Sequence, residues 1–324
     1  MMISSPSRCV LIGCAISAVL GGCGAPGAIA PQIAVVQPRA AHRGPSWMLP
    51  EARQRDLLYV SNWNSGAVTV YTYPEGSLVG TLTGFTQPYG ECVDKSGDVF
   101  ITNDNASSVL EYPHGSSSPI ATISDAGEHP AGCSIDPITG DLAVNNAYTV
   151  SNQPGSISLY RYTRKHGWSF PETYSDSSFF YMYFCGYDNR GNLFVDGYTA
   201  YDGTVVLAVL PAGHKTFTNL SLQQAINIPG GIMWDGRYMT VADSGLQPSV
   251  VYRFVVKGSA AEVIGTTSLS GSDVVQYWVE GNRIVGPQPT SDSVGIWSYP
   301  PGGQAIATIT QELDTPSGLT ISRH

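Results

Sequence analysis

A short phrase recurs along this chain and limits the folds that it can adopt. Each copy holds a glycine, a short apolar run, an aspartate, a tight turn and a second β-rich run. The four clear copies are Pro88–Asp94 with Gly97–Asn103, Pro130–Asp136 with Gly140–Asn146, Tyr183–Asp188 with Gly191–Asp196, and Pro229–Asp235 with Arg237–Asp243. The phrase-ending aspartates lie 42, 52 and 47 residues apart. Repeats of about 40–50 residues built from short strands are typical of β-propellers with four strands per blade.

The two ends of the repeat region hold complementary halves of one further repeat. Leu57–Ser61 matches the second run but has no glycine phrase before it, whereas Pro316–Ser322 matches the first run and has no second run after it. Joining these halves completes a blade, closes the ring and protects the strand edges. With a weaker copy at Ser272–Val285, the sequence predicts an all-β fold, a six-bladed propeller of four-stranded antiparallel blades over residues 56–324. A β-sandwich of irregular hairpins is the alternative.

Residues 1–22 have the layout of an export signal. Arg8 precedes an apolar stretch, residues 9–20, which is too short to span a bilayer comfortably, and Leu20-Gly-Gly-Cys23 follows directly. This last motif resembles the lipobox of bacterial lipoproteins, in which the cysteine is lipidated and becomes the new N-terminus. We therefore expect a lipid anchor on Cys23 and a location at the bacterial cell envelope, on the outer membrane or the cell surface.

Residues 23–55 are rich in proline, alanine and glycine, a composition that cannot bury a core and predicts a tether. Within it, Trp47–Leu49 is a candidate to dock on the propeller. An ordinary secretory signal cleaved near Ala28 or Ala30 is the alternative to the lipoprotein signal.

The charge of the chain excludes some classes of partner. The sequence has 16 Lys and Arg against 25 Asp and Glu, and its net charge is −9. A chain of this sign is repelled by nucleic acid and by anionic lipid surfaces. We expect no nucleic-acid partner, membrane contact only through the N-terminal lipid, and a monomer.

Three cysteines remain beyond the predicted signal and its lipidated Cys23: Cys92, Cys133 and Cys185. All three lie on predicted inner strands, and their spacing is unlike that of a zinc site. We expect buried free thiols, and one disulfide is the alternative.

Ligands of propellers bind at one mouth of the central channel, where the starts of inner strands meet the loops that follow second strands. The candidate ligand-binding residues at this mouth are Tyr89, Glu91, Asn103, Asp104, His129, Asn145, Tyr181, Asp196 and Asp243. Their rings can stack on a ligand, while their amides and carboxylates can form hydrogen bonds, so a small polar ligand such as a carbohydrate, or an envelope protein, is expected. For any single loop asparagine a role in the turn is the more common one.

The aromatic run Phe179–Phe184 adds rings at the start of the fourth blade. Alternation along a strand places these rings on both faces, so about half should pack between blades and the rest should line the mouth.

The repeated phrase resembles that of the NHL and gluconolactonase-like (senescence-marker) group of six-bladed propellers over most of residues 56–324. In the lactonases of that group, a Glu, and Asn and Asp placed within Pro-Asn-Gly and Pro-Asp-Gly, hold a divalent metal. The corresponding middle positions here are Tyr89, Ala131, Gly230 and Ser317, and none is a good metal ligand.

We therefore expect a non-enzymatic binding propeller with no cofactor. The alternative is a gluconolactonase-like hydrolase or lactonase, in which Glu91, Asp104, Asn145 and Asp196 rebuild a site for a divalent metal. No Gly-x-Ser-x-Gly, phosphate-loop or His-Glu-x-x-His motif occurs in the sequence.

Overall fold

The computed structural model describes residues 44–199, 203–271 and 273–324. The predicted signal, Cys23 and most of the predicted tether lie outside these residues. Within them the chain forms β-strands and the short 3₁₀ turns Pro50–Gln54, Asp104–Ala106 and Pro289–Ser291. None of the described segments is a helix with the length and apolar character needed to cross a membrane.

The strands fall into groups of four, each with an inner, a second, a third and a fourth strand. The inner strands are Pro88–Val93, Glu128–Ile135, Tyr181–Tyr187, Pro229–Trp234, Trp278–Glu280 and Pro316–Ser322. The second strands are Leu57–Asn62, Val99–Asn103, Leu142–Thr149, Leu193–Tyr198, Met239–Asp243 and Arg283–Gln288. The third strands are Ala67–Thr72, Ser108–Tyr112, Pro154–Tyr160, Val205–Leu210, Ser249–Lys257 and Ser293–Ser298. The fourth strands are Leu78–Thr83, Ala121–Ser124, Glu172–Tyr174, Thr218–Leu222, Ala260–Leu269 and Ala307–Ile309.

These groups are the blades of a β-propeller, numbered here from the blade that contains Leu57–Asn62. A short parallel pairing of Ser221 and Leu222 with Ala260 and Ala261 links the outer strands of the fourth and fifth blades. A small hairpin, Tyr162–Thr163 with Gly167–Trp168, lies between the third and fourth strands of the third blade.

The predicted closure of the ring is confirmed. Pro316–Ser322 pairs antiparallel with Leu57–Asn62, from Leu57 opposite Ser322 to Asn62 opposite Pro316. Leu319 and Ile321 of this strand are 0% and 1% exposed. The last strand of the chain is therefore the inner strand of the first blade.

The Pro-x-Gly phrase begins an inner strand and allows it to pack against its neighbour. In the second blade, the register between the inner and second strands shifts between Pro88 and Glu91, which indicates a β-bulge. Proline is tolerated there because it begins the strand. A Cβ on Gly90 would lie 2.5 Å from the carbonyl oxygen of Ala131 in the next inner strand. A Cβ on Gly318 would lie 2.1 Å from the carbonyl oxygen of Tyr89. Glycine is needed because only a bare Cα fits at this distance.

The phrase-ending aspartates form the turns at the other end of the inner strands. Asp94 Oδ1 accepts hydrogen bonds from the backbone N–H groups of Ser96 at 2.8 Å and Asp98 at 2.9 Å. The aspartates with the same role in other blades are Asp136, Asp188 and Asp235. Such Asx turns explain the Asp-x-x-Gly composition, as the sequence predicted.

The hydrophobic core lies between neighbouring blades. Leu57 and Val70 of the first blade pack in one buried cluster with Ile101 and Tyr112 of the second. Each blade therefore contributes its two faces to two different interfaces, which fits the β-branched and aromatic composition of the strands.

The expectation of three free thiols is wrong. Cys92 and Cys133 form a disulfide with a Cα–Cα distance of 5.6 Å, whereas Cys185 is buried and free. Cys92 and Cys133 lie on adjacent inner strands, and the close packing at Gly90 brings those strands within bonding reach. The alternative of one disulfide is the correct one.

Residues assigned to the end of the tether are part of the fold. Trp47–Met48 pairs with the outer strand of the first blade, with Trp47 opposite Thr81 and Met48 opposite Gly80. Ala52, in the following 3₁₀ turn, is fully buried. The propeller therefore begins before residue 56, and Trp47–Leu49 docks as an additional edge strand.

Removing residues 316–324 should abolish cooperative unfolding, because the deletion opens the ring and removes an inner strand. Burial of Leu319 and Ile321 alone contributes about 1.5–3 kcal/mol each, against a total stability of about 5–15 kcal/mol. Urea denaturation followed by circular dichroism tests this. The control is Leu49→Ala, at a side chain that is 38% exposed; it should unfold like the wild type. A truncated protein that melts cooperatively at the wild-type midpoint would contradict the closure.

Candidate functional site

The mouth of interest is the end of the propeller where second strands end and inner strands begin. The registers place these points together: Pro88 faces Asn103, Glu128 faces Thr149, and Tyr181 faces Tyr198. All nine candidate residues lie on inner strands, on second strands or in the loops that follow second strands. Their side chains, however, have four different roles: two hold loops, one connects blades, two are buried carboxyls, and four form or border a group of aromatic rings.

Asn103 and Asp243 hold loops of the mouth in place. Asn103 Oδ1 accepts a hydrogen bond from the backbone N–H of Thr86 at 2.6 Å, two residues before Pro88. Asp243 Oδ2 accepts one from the N–H of Asn227 at 2.9 Å, two residues before Pro229. Asn62 does the same for Asp314 at 2.9 Å, two residues before Pro316. The polar residue that ends the second strand thus fixes the entry into the inner strand, which is a structural role.

Asn145 connects two blades. It is fully buried, and its Nδ2 donates to the carbonyl oxygens of Met182, at 3.3 Å, and Tyr183 on the next inner strand. Thr102, at the equivalent place in the second blade, donates to the carbonyl oxygens of Gly90 and Ala131. The prediction that Asn145 faces a ligand is therefore wrong, because its donor group already serves the interface between blades.

Glu91 is also enclosed by protein. Its side chain is 1% exposed, and Oε1 accepts a hydrogen bond from Ser61 Oγ at 2.7 Å while Oε2 has no partner. Burial raises the pKa of Glu91 from 4.5 to about 8, and the hydrogen bond from Ser61 opposes this rise. A buried carboxyl with these contacts is not a surface ligand-binding group, so this prediction is corrected as well.

Asp196 lies beneath the mouth. It is 0% exposed, and burial raises its pKa well above the usual range. The backbone N–H groups of Phe184 and Gly230 approach the carboxyl and lower its pKa somewhat, but neither oxygen makes a hydrogen bond of normal geometry. Burial raises the pKa of Tyr89 and of Tyr198, and nearby carboxyl groups, among them Asp196, raise both further.

Tyr181 belongs to a group of half-buried tyrosines. Its ring stacks on that of Tyr183, with 5.9 Å between the ring centroids, and contacts Tyr148 edge to face at a centroid distance of 5.8 Å. Tyr198 in turn contacts Tyr183 edge to face, with 5.9 Å between the centroids. Burial raises the pKa of Tyr183, and the neighbouring phenols of Tyr89, Tyr181, Tyr198 and Tyr148 raise it further. These five tyrosines, together with Trp63, are called the aromatic cluster.

Asp104 and His129 extend the aromatic cluster with polar groups. His129 Nδ1 donates to Asp104 Oδ1 at 2.6 Å, and the imidazole stacks on Tyr148 at 4.4 Å. Both side chains are 14% exposed. Burial raises the pKa of Asp104, and His129 opposes this. Both side chains therefore keep a small exposed fraction at the mouth, and their role in ligand binding stays a prediction.

Tyr89 joins the aromatic cluster to the interior. Its ring contacts Trp63 edge to face at 5.4 Å and Phe184 at 6.3 Å. Burial, followed by the charges of Asp104 and Asp196, raises its pKa to about 12. Since Tyr89 packs against a buried phenylalanine, it supports the cluster as much as it displays a ring.

The structure therefore brings together Tyr89, Asp104, His129 and Tyr181, with Asp196 beneath them. Trp63, Tyr148, Tyr183 and Tyr198 complete the group but were absent from the candidate set. Three of them could have been predicted from the sequence. Tyr183 lies in the aromatic run Phe179–Phe184, and Trp63 and Tyr198 come shortly after predicted second runs. Tyr148 was missed because its second strand extends further than the repeat suggested, to Thr149.

The alternative hypothesis of a metal-dependent lactonase needs four ligands that converge on one ion, but three of them have different hydrogen-bond partners. Glu91 bonds to Ser61, Asn145 to backbone carbonyls and Asp104 to His129. Among the residues that the structure describes, no group of three or more His, Cys, Asp or Glu side chains is arranged to hold a metal ion.

The sequence matches no protein-family model, and no curated protein is significantly similar to it. Several solved structures share the fold. A chain of a nidogen/laminin complex aligns with a TM-score of 0.61 and 14% identity, over 82% of this chain and 98% of that one. A protein of unknown function from Bacteroides caccae aligns with a TM-score of 0.62 and 10% identity, over 83% and 100%. A functionally unknown protein from Desulfotomaculum acetoxidans gives 0.57 and 12%, over 83% and 99%. At these identities the likeness supports the β-propeller fold alone.

Glu91 should make the stability of the protein depend on pH. Because its folded pKa of about 8 exceeds the ordinary 4.5, the unfolded chain loses this proton first as the pH rises. Stability present below pH 4.5 is then lost progressively up to about pH 8, by up to about 5 kcal/mol. Glu91→Gln keeps an acceptor for Ser61 and removes the titration, so its stability relative to wild type should increase between pH 5 and pH 8 in urea denaturation.

The control for this experiment is Glu75→Gln. Glu75 is exposed, and a hydrogen bond from its own backbone N–H, together with its pairing with Arg55, lowers its pKa. Its replacement should therefore not reproduce the gain. Parallel stability curves for wild type and Glu91→Gln across this pH range would contradict the assignment.

Proposed function

We propose that this protein is an exported, envelope-anchored binding propeller that takes its ligand at the aromatic cluster. The observation that carries the proposal is the convergence of Trp63, Tyr148, Tyr181 and Tyr198 from three blades at one mouth. Half-buried aromatic rings on a rigid scaffold offer a large contact area at low conformational-entropy cost. The ligand is a small polar molecule or a segment of an envelope protein, and no catalytic step is proposed.

The disulfide supports the exported location. Bonds such as Cys92–Cys133 persist in oxidising compartments outside the cytoplasm. The lipobox-like motif at Leu20–Cys23 supports a lipid anchor, and the fold shared with a nidogen/laminin complex is compatible with binding by a propeller. Membership in the NHL and gluconolactonase-like group remains a prediction.

Mouth variants should lose binding without losing the fold. A mixed set of neutral sugars, organic cations and organic anions is screened by NMR for ligands that shift tyrosine ring signals. Tyr148→Ala and Tyr181→Ala should each weaken a bound ligand by about tenfold or more, because each removes a ring from the contact surface. Their thermal midpoints should stay near that of the wild type, since both rings are half-buried.

The matched control is Tyr162→Ala, a tyrosine that is 55% exposed on the hairpin of the third blade. It should leave binding unchanged. Tyr89→Ala is unsuitable as a test because Tyr89 packs on Phe184. Ligands whose affinity survives both mouth changes and falls in the Tyr162 variant would place the working surface elsewhere.

The lipid anchor is testable independently of the ligand. Cys23→Ser should abolish incorporation of radiolabelled palmitate and release the protein from the membrane pellet, because the thiol that accepts the lipid is gone. Cys14→Ser is the control, since Leu11-Ile-Gly-Cys14 would leave almost no apolar stretch before it. A labelled, membrane-bound Cys23→Ser protein would overturn the assignment.

A further inference from the structure

We propose that the aromatic cluster recognises an organic ammonium group rather than a neutral sugar or an anion. This inference rests on the proposed function, because it names the class of ligand that the same mouth takes. Three independent features of the described residues lead to it: the charges of the mouth loops, the arrangement of rings, and the use already made of the mouth's amide groups.

The mouth loops contain acidic side chains but no Lys or Arg within the described residues. These loops follow second strands or precede inner strands, and their acidic residues are Asp104, Asp125, Asp176, Asp273, Asp292, Glu312 and Asp314. Lysines and arginines lie instead on strands or at the opposite end, where many pair with carboxylates, as Lys215 and Arg161 do with Glu172 at 3.0 Å. The negative charge of the chain is therefore concentrated at the mouth, which attracts cations and repels anions.

Tyrosine rings of two orientations meet in one small area of the mouth. Tyr181 and Tyr183 stack with an interplanar angle of 22°, while Tyr148 and Tyr198 stand nearly perpendicular to them, at 88° and 87°. Differently oriented π-faces in one small area are what a quaternary or primary ammonium contacts in aromatic recognition sites, because the negative face of each ring attracts the charge.

Three amides at the strand ends of the mouth already serve the protein itself. Asn103 accepts the N–H of Thr86, Asn145 donates to the next blade, and Asn146 donates to Ser156 and Ser158. Sugar recognition depends on several directed hydrogen bonds, whereas ammonium recognition depends on π-faces and carboxylates. The chemistry left at the mouth favours the cation.

Choline and 3,3-dimethylbutan-1-ol test the proposal, since they have nearly the same shape and differ in charge. Each is titrated calorimetrically into the full-length protein in a polyoxyethylene detergent. Choline should bind at least about tenfold more tightly than the neutral alcohol, and added salt should weaken it. Equal affinity for the two, or no heat with choline, would overturn the inference.

Variants separate the ring face from the hydroxyl. Tyr181→Phe keeps the face and should retain choline binding, whereas Tyr181→Leu keeps apolar bulk and should lose about tenfold. Asp104→Asn should weaken binding by removing a charge. Tyr162→Leu, on the hairpin between the third and fourth strands of the third blade, should have no effect. Loss of choline binding in Tyr181→Phe would indicate hydrogen bonding by the phenol and contradict cation recognition by the ring.

Two further titrations distinguish the possible sources of the ammonium group. Nα-acetyl-lysine methylamide and its Nζ-trimethyl form represent a lysine side chain of a protein partner, while choline represents a free small cation. Tighter binding of either lysine compound than of choline assigns the site to a protein segment, and the reverse assigns it to a small molecule. If neutral sugars bind at the mouth and every ammonium compound fails, this inference is wrong while the proposed binding function stands.

Discussion

The close packing of inner strands around the central axis is the contact on which the rest of the propeller depends. A glycine Cα of one strand lies against a carbonyl oxygen of the next, as Gly90 does with Ala131 and Gly318 with Tyr89. A side chain at these positions would separate the strands and with them the blades, since each blade is anchored by its inner strand. The same proximity makes the Cys92–Cys133 bond possible, and it sets the spacing at which the tyrosines of adjacent blades meet.

The fold was predictable because the same constraints on the backbone recur in each repeat of the sequence. In the four clear copies, the inner strand needs a glycine for close approach, and the turn after it needs an aspartate that accepts backbone N–H groups, so the phrase recurs. The closure of the ring was predictable for the same reason, since Leu57–Ser61 and Pro316–Ser322 each lack the half that the other supplies. Residues 47–54 lie outside the repeats, so little in the sequence predicted that they pack on the first blade.

The candidate site was predictable in place but only partly in composition. Topology alone brings the strand ends to one mouth. Whether a polar side chain there faces outward depends on which backbone groups need a partner, and a sequence does not state this. Asn103 and Asp243 satisfy loop N–H groups, and Asn145 satisfies carbonyl oxygens across a blade interface. Tyr181, Asp104 and His129 fill no such need, and they are the predicted residues that remain at the surface of the mouth.

This division of polar groups links the fold to the binding chemistry. A propeller has many loop N–H groups at its mouth, and this chain uses its amides and Asp243 to satisfy them. The other side chains of the described mouth are aromatic rings, which accept no hydrogen bonds from the loop backbone, and carboxylates. No lysine or arginine of the described mouth loops neutralises these carboxylates. Holding the mouth loops in place therefore occupies several of its directional polar groups, and rings and carboxylates remain beside them. Such a surface distinguishes ligands by charge first and by shape second.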